Sequence, residues 1–181
     1  LFENQDITQL NEKELIPIRK KIAYVFQNGA LFDSLSVEEN LSYPLHEHTD
    51  LSDEEISAKV NQMLELIDMK GSNQLLPGEL SGGMQKRAGL ARAIILGPRI
   101  ILFDEPTAGL DPVNTLRLIN NIKKLKEQKI TGIFVTHDIP AALEICDRIA
   151  ILFEGKIHII DTVDNIKKSE DPLVRSFLQG T

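Results

Sequence analysis

Hydrophobic positions along this chain follow two different periods. Between residues 36 and 97, apolar side chains recur at three- and four-residue steps. Ile56, Val60, Met63, Leu64 and Ile67 make one stripe, and Met84, Ala88, Ala91, Ile94 and Ile95 another. That spacing predicts helices with one core-facing side. Ser52, with Glu55 three residues on, opens the first as a capping box, and Ser81 caps the second. The stretch 73–79, with Pro77-Gly78 inside it, predicts the loop between them. Ahead of this helix-rich region, 22–26 (IAYVF) reads as a short strand.

From residue 100 the pattern changes. Ile100-Ile101-Leu102-Phe103 is an unbroken apolar run that ends in Asp104-Glu105-Pro106, as expected of a parallel strand buried on both faces. Asp111 followed by Pro112 predicts a helix start, with the helix ending near Lys129. A strand at 132–135 runs into Thr136-His137-Asp138, and a helix at 140–146 follows. Two runs, 149–153 and 156–160, are joined by Glu154-Gly155 as a hairpin. Strands alternating with helices predict an α/β layer with a mostly parallel sheet, whose ligands sit beyond the carboxyl ends of the strands. Asp104-Glu105 and His137 both fall at such ends.

Composition narrows the function classes. The 181 residues are 42% hydrophobic and 26% charged, which suits one core, or one core with a subdomain. A formal net charge of -7 argues against a nucleic-acid partner. Lys123, Lys124, Lys126 and Lys129, interrupted by Glu127, read as the solvated face of a helix. The single cysteine, Cys146, excludes an internal disulfide and reads as a buried structural thiol. The apolar runs are too short to span a bilayer, so any membrane connection comes through a partner. The chain starts at Leu1 in a polar stretch and reads as truncated.

Four places carry candidate chemistry, each with a plainer alternative. A buried strand that delivers two adjacent carboxylates suits phosphoryl chemistry, with Asp104 holding Mg²⁺ and Glu105 activating water; the alternative is a strand-end turn with solvated acids. Ser81-Gly82-Gly83 at a helix start leaves backbone N–H groups open to an anion; the alternative is a capped helix that packs closely. His137 can reach a γ-phosphate or be structural. Gln27 can bind metal or attacking water, though glutamine alone says little.

The ordered set changes the balance. Gln27, then Leu80-Ser81-Gly82-Gly83-Met84-Gln85, then Ile100 through Glu105, then Gly109-Leu110-Asp111, then His137 resembles the ATP-binding-cassette (ABC) ATPases throughout the chain. They match the Q-loop, signature motif, Walker B strand, D-loop and H-loop in order. The resemblance implies a P-loop NTPase-like core with a mostly parallel sheet, one ABC ATPase domain over 1–181, a helical subdomain at about 36–97 and a C-terminal helical tail at 161–181. It implies ATP and Mg²⁺ as cofactors, with Glu105, His137 and Gln27 in catalysis and Asp104 and Gln27 at the metal. It also implies a head-to-tail homodimer, in which Ser81, Gly82, Gly83 and Gln85 contact ATP held by the facing subunit and Asp111 serves the D-loop. The Q-loop and helical subdomain would dock on a transmembrane permease.

One departure stands out. No G-x-x-x-x-G-K-[ST] occurs in the 181 residues, and Gly155-Lys156 is followed by Ile157. The expectation is that the N-terminal strands and the Walker A loop are missing from this chain, which is then inactive alone. The segment Phe26-Gln27-Asn28-Gly29-Ala30-Leu31-Phe32-Asp33-Ser34-Leu35 is similar to the lipid-transport branch of bacterial ABC ATPases, the maintenance-of-lipid-asymmetry (Mla) and Mce-type systems. So is the tail from Asp171 to Gly180. That likeness implies phospholipid transport, an Mce-domain lipid-binding partner and a place on the cytoplasmic face of the bacterial inner membrane. A small-solute (amino-acid) importer and a soluble non-transport ABC ATPase are the other readings.

Overall fold

The computed structural model describes residues 1–179; Gly180 and Thr181, the end of the expected 161–181 tail, lie outside the described residues. The chain forms two compact units, Leu1–Val135 and the segment from Thr136 onward.

In the first unit, α1 (Glu12–Arg19) leads into β1 (Ile22–Val25). Then come α2 (Val37–His48), α3 (Asp53–Leu66), α4 (Gly82–Ile94), β2 (Ile100–Asp104), α5 (Pro112–Glu127) and β3 (Thr131–Val135). The strands form a parallel sheet in the order β1-β2-β3. The register aligns Ile22 with Ile100, Tyr24 with Leu102 and Val25 with Phe103, and on the other side of β2 it aligns Ile100 with Thr131 and Asp104 with Val135. Ala23, Val25, Ile101 and Phe103 are buried on one face. There Val25 and Phe103 meet Leu90 of α4 and Leu118 and Ile122 of α5.

The expected burial of β2 on both faces is corrected: burial alternates along it, because helices cover only one side of the sheet. On the other face Tyr24, Ile133 and Val135 are exposed.

The stripes predicted for α3 and α4 form a second core with α2. Val37, Leu41 and Leu45 meet Ile56, Val60 and Leu64, together with Ala88, Ala91 and Ile95. Full burial of each large aliphatic residue contributes about 1.5–3 kcal/mol. Capping boxes open three helices: Asn11 with Glu14, Ser36 with Glu39 and Ser52 with Glu55.

The second unit contains α6 (Ile139–Ile145), β4 (Arg148–Phe153), β5 (Lys156–Thr162), α7 (Val163–Lys168) and α8 (Pro172–Gln179). β4 and β5 are antiparallel. Glu154 at φ 49° and Gly155 at φ 74° make their connection, the left-handed pair that a two-residue type I′ turn requires. Ile151, Ile166 and Val174 form this unit's core. Cys146, expected buried, is only half-buried just past α6, where the chain leaves the helix. Among the described residues no helix is long and apolar enough to cross a membrane.

Candidate functional site

Parallel pairing puts the carboxyl ends of β1 and β2 side by side. Val25 is in register with Phe103, so Gln27 and Glu105 each lie two residues beyond that pair. Gln27 is exposed in the turn that follows β1, where Gly29 N–H donates to the Phe26 carbonyl at 3.0 Å. Asp104 closes β2 and accepts a 2.9 Å hydrogen bond from the Tyr24 hydroxyl. That bond, above all, raises the Tyr24 pKa, because losing the phenolic proton would set two negative charges together.

Glu105 is half-buried and stands at φ 46°, in the left-handed region, while its N–H donates to the Val135 carbonyl at 2.9 Å. A glutamate has no intrinsic reason to be left-handed, and such residues concentrate where geometry serves a site. The backbone after it is held from α4. Lys86 Nζ donates to the Pro106 carbonyl at 3.0 Å and also to that of Ala108. Burial lowers the Lys86 pKa, and the nearby Glu105 charge works the other way.

Ser81 is the exposed N-cap of α4, and its hydroxyl accepts from Met84 N–H at 3.3 Å. Gly82 is exposed, with open space where a Cβ would be, whereas Gly83 is buried. The Gln85 amide nitrogen donates to the Pro77 carbonyl at 2.9 Å and the Leu80 carbonyl at 3.4 Å, so it braces the turn that leads into Ser81. Asp111 caps α5, accepting from Val113 N–H at 2.9 Å and Asn114 N–H at 3.0 Å. Those bonds, led by Asn114, hold its pKa below the usual aspartate range.

His137 belongs to the second unit and is exposed. After it, Asp138 caps α6 by accepting from Ala141 N–H at 3.1 Å. The first unit thus sets Gln27, Asp104 and Glu105 at adjoining strand ends and ties Glu105's loop to the helix that Ser81 begins. Sequence reasoning missed Tyr24, Lys86 and Asn114. Tyr24 could have been found once β1 and β2 were paired, since register puts it one step from Asp104's level on the same face. Lys86 carries no such signal because its partners lie 20 or more residues away, and Asn114, beside its local bonds to Asp111, meets Arg87 and Gly83 only in the fold.

Comparisons with known proteins identify the family. A family model described as ABC transporter matches residues 1–108. The chain is 41% identical to the intermembrane phospholipid transport system ATP-binding protein MlaF of Haemophilus influenzae, covering 99% of this chain and 69% of that protein. With MlaF of Escherichia coli K12 it shares 40% identity, covering 99% of the chain and 67% of the relative. A probable ribonucleotide transport ATP-binding protein, mkl of Mycobacterium leprae, is 41% identical, with 99% of this chain and 52% of that protein covered. Among solved structures, the ATP-binding cassette MJ0796, a dimer in a post-hydrolysis state with ADP and Pi, superposes with a TM-score of 0.80 at 33% identity, covering 89% of this chain and 71% of that one. CbiO1 of Clostridium perfringens, part of the transporter complex cbiONQ, gives 0.84 at 27% identity over 99% of this chain and 71% of that one. With a family model over more than half its length and such relatives along all of it, the chain belongs to the ATP-binding subunits of ABC transporters.

Proposed function

We propose that this protein binds and hydrolyses ATP to drive phospholipid transport across the bacterial envelope. It would sit at the cytoplasmic face of the inner membrane as a homodimer docked on a transmembrane permease, with an Mce-domain lipid-binding protein as a further partner. All 181 residues then form one ABC ATPase domain, with 36–97 as its helical subdomain.

The observation that carries the reading is the end of β2, where Asp104 and Glu105 are set by different neighbours. Asp104, with one oxygen accepting from the Tyr24 hydroxyl, would offer the other to Mg²⁺. That ion retains much of its water and takes further ligands from phosphates, so one carboxylate with Gln27 nearby is a fitting donor set. Glu105, on a strained backbone braced by Lys86, orients and deprotonates the attacking water. A role for His137 at the γ-phosphate rests on the family motif alone. Ser81, Gly82 and Gly83 offer the start of α4 to ATP on the facing subunit, with Asp111 beside them and Gln85 supporting the turn.

The likeness to two MlaF proteins supports phospholipid as cargo. The match to a ribonucleotide-transport protein makes the small-solute alternative testable in one assay. The full-length protein is reconstituted with its permease in vesicles, and ATP turnover is followed while phospholipid or ribonucleotide is supplied. Stimulation by phospholipid alone is the expected result; stimulation by ribonucleotide alone overturns the cargo assignment and leaves the ATPase intact.

A further inference from the structure

We propose that Asn114 is a positioning residue that fastens the Asp111 loop to the 81–83 turn, so that the two present to nucleotide as one rigid body. The proposal rests on the nucleotide-facing reading of Ser81 and Asp111 given above. A Cβ on Gly83 would lie 2.6 Å from both Cγ and Oδ1 of Asn114 and 3.0 Å from its Cβ, an overlap no packed interior absorbs without a shift. Gly82, its neighbour, has nothing within 4 Å. Asn114 fills the space a Cβ on Gly83 would take, so a side chain there displaces Asn114, and the anion-approach argument applies to Gly82.

The other atoms of Asn114 are engaged as well. Its amide nitrogen donates to Asp111 Oδ2 at 2.5 Å, and its Oδ1 accepts from Arg87 Nη1 at 3.3 Å. Arg87 is 3% exposed, and its Nε is buried with no hydrogen-bond partner. A buried cation with an unsatisfied donor adds little net stability, but it cannot shift without losing the contacts it has. Asp111 in turn caps α5 through Val113 and Asn114. The chain of contact is continuous from Gly83 to Asn114 to Asp111, with Arg87 closing it back onto α4. Lys86, bound to the Pro106 and Ala108 carbonyls, adds a second fastening one residue away. Displacing the Asp111 loop thus means displacing the start of α4.

Two measurements on the full-length protein test this. In thermal unfolding, Gly83→Ala lowers Tm by about 5 °C, and adding Asn114→Gly returns most of that loss. Additive losses in the double variant overturn the fastening. In steady-state turnover, Asn114→Ala lowers kcat about tenfold while KM for ATP stays within about twofold, because each subunit's own grip on nucleotide is untouched. An unchanged kcat, or a rise in KM with kcat intact, overturns the positioning role. Ser81→Arg in the same assay separates the two failures. If it still turns over, the nucleotide-facing reading fails, while the melting cycle still decides whether Asn114 fastens Gly83.

Discussion

Glu105 holds φ at 46°, a left-handed backbone that costs a non-glycine residue about 1–2 kcal/mol. A glycine there should relieve the strain. Glu105→Gly is expected to raise thermal stability, or at least leave it unchanged, while abolishing turnover in the full-length protein; calorimetry beside a phosphate-release assay checks both. A variant that is both less stable and active contradicts the placement of strain and chemistry on one residue. Asn40 makes a comparable case without chemistry. It is fully buried, accepts from Phe32 N–H at 2.8 Å, and donates to the carbonyls of Phe32, Leu35 and Ser36. Asn40→Leu leaves those groups dry and unpaired, so a loss of roughly 1–3 kcal/mol is expected in denaturant unfolding. The loss should centre on the 29–35 loop that follows Gln27, which hydrogen exchange would locate.

At the scale of elements, helix caps set how the fold responds to acid. The pKa of Asp111 is lowered chiefly by Asn114, and that of Asp171 chiefly by His158, whose Nε2 lies 3.0 Å away. Each carboxylate is more acidic folded than unfolded. Its contribution is therefore complete above the unfolded value, about pH 4, and is lost as pH falls through the folded one. Tm should drop as pH falls below about 4, and less steeply in Asp111→Asn, which keeps a capping side chain but has no charge to lose.

Elements with strong local signals were legible in the sequence. The stripes of α3 and α4, the Ser52 box, the Asp111-Pro112 start and the Glu154-Gly155 turn each depend on neighbours within a few residues. α1 was not foreseen, although the pairing of Asn11 with Glu14 announces it, because Pro17 inside the helix reads as a breaker. The exposed face of β2 was missed for a different reason. An apolar run is the same whether one side is covered or two, and only the placement of α4 and α5 decides. The site divides likewise. Asp104, Glu105 and Ser81 stand where their local motifs put them, while Lys86 and Asn114 gain meaning from contacts with residues 20 positions or more away.

For the molecule as a whole, the open face of the first unit's sheet has consequences in solution. Tyr24, Ile133 and Val135 are 44%, 56% and 58% exposed on adjoining parallel strands, an apolar surface that favours association. The 181-residue chain should self-associate in light scattering; a stable monomer at high concentration contradicts this. The same chain holds no lysine-bearing phosphate loop, so calorimetry should find no micromolar ATP binding.

The central claim, that Glu105 activates water at a nucleotide completed by Ser81 of a facing subunit, concerns the full-length protein. Its most direct test is size-exclusion chromatography in Mg-ATP beside a phosphate-release assay on Glu105→Gln and Ser81→Arg. The amide keeps the shape of Glu105 but cannot take a proton, and it removes repulsion with the γ-phosphate. Glu105→Gln should therefore be inactive and trapped as a dimer. Ser81→Arg puts bulk and charge against the facing nucleotide, so it should be inactive and monomeric. Glu105→Gln turning over at more than about a tenth of the wild-type rate, a barrier change under ~1.4 kcal/mol, or Ser81→Arg dimerising normally with ATP, would contradict the account.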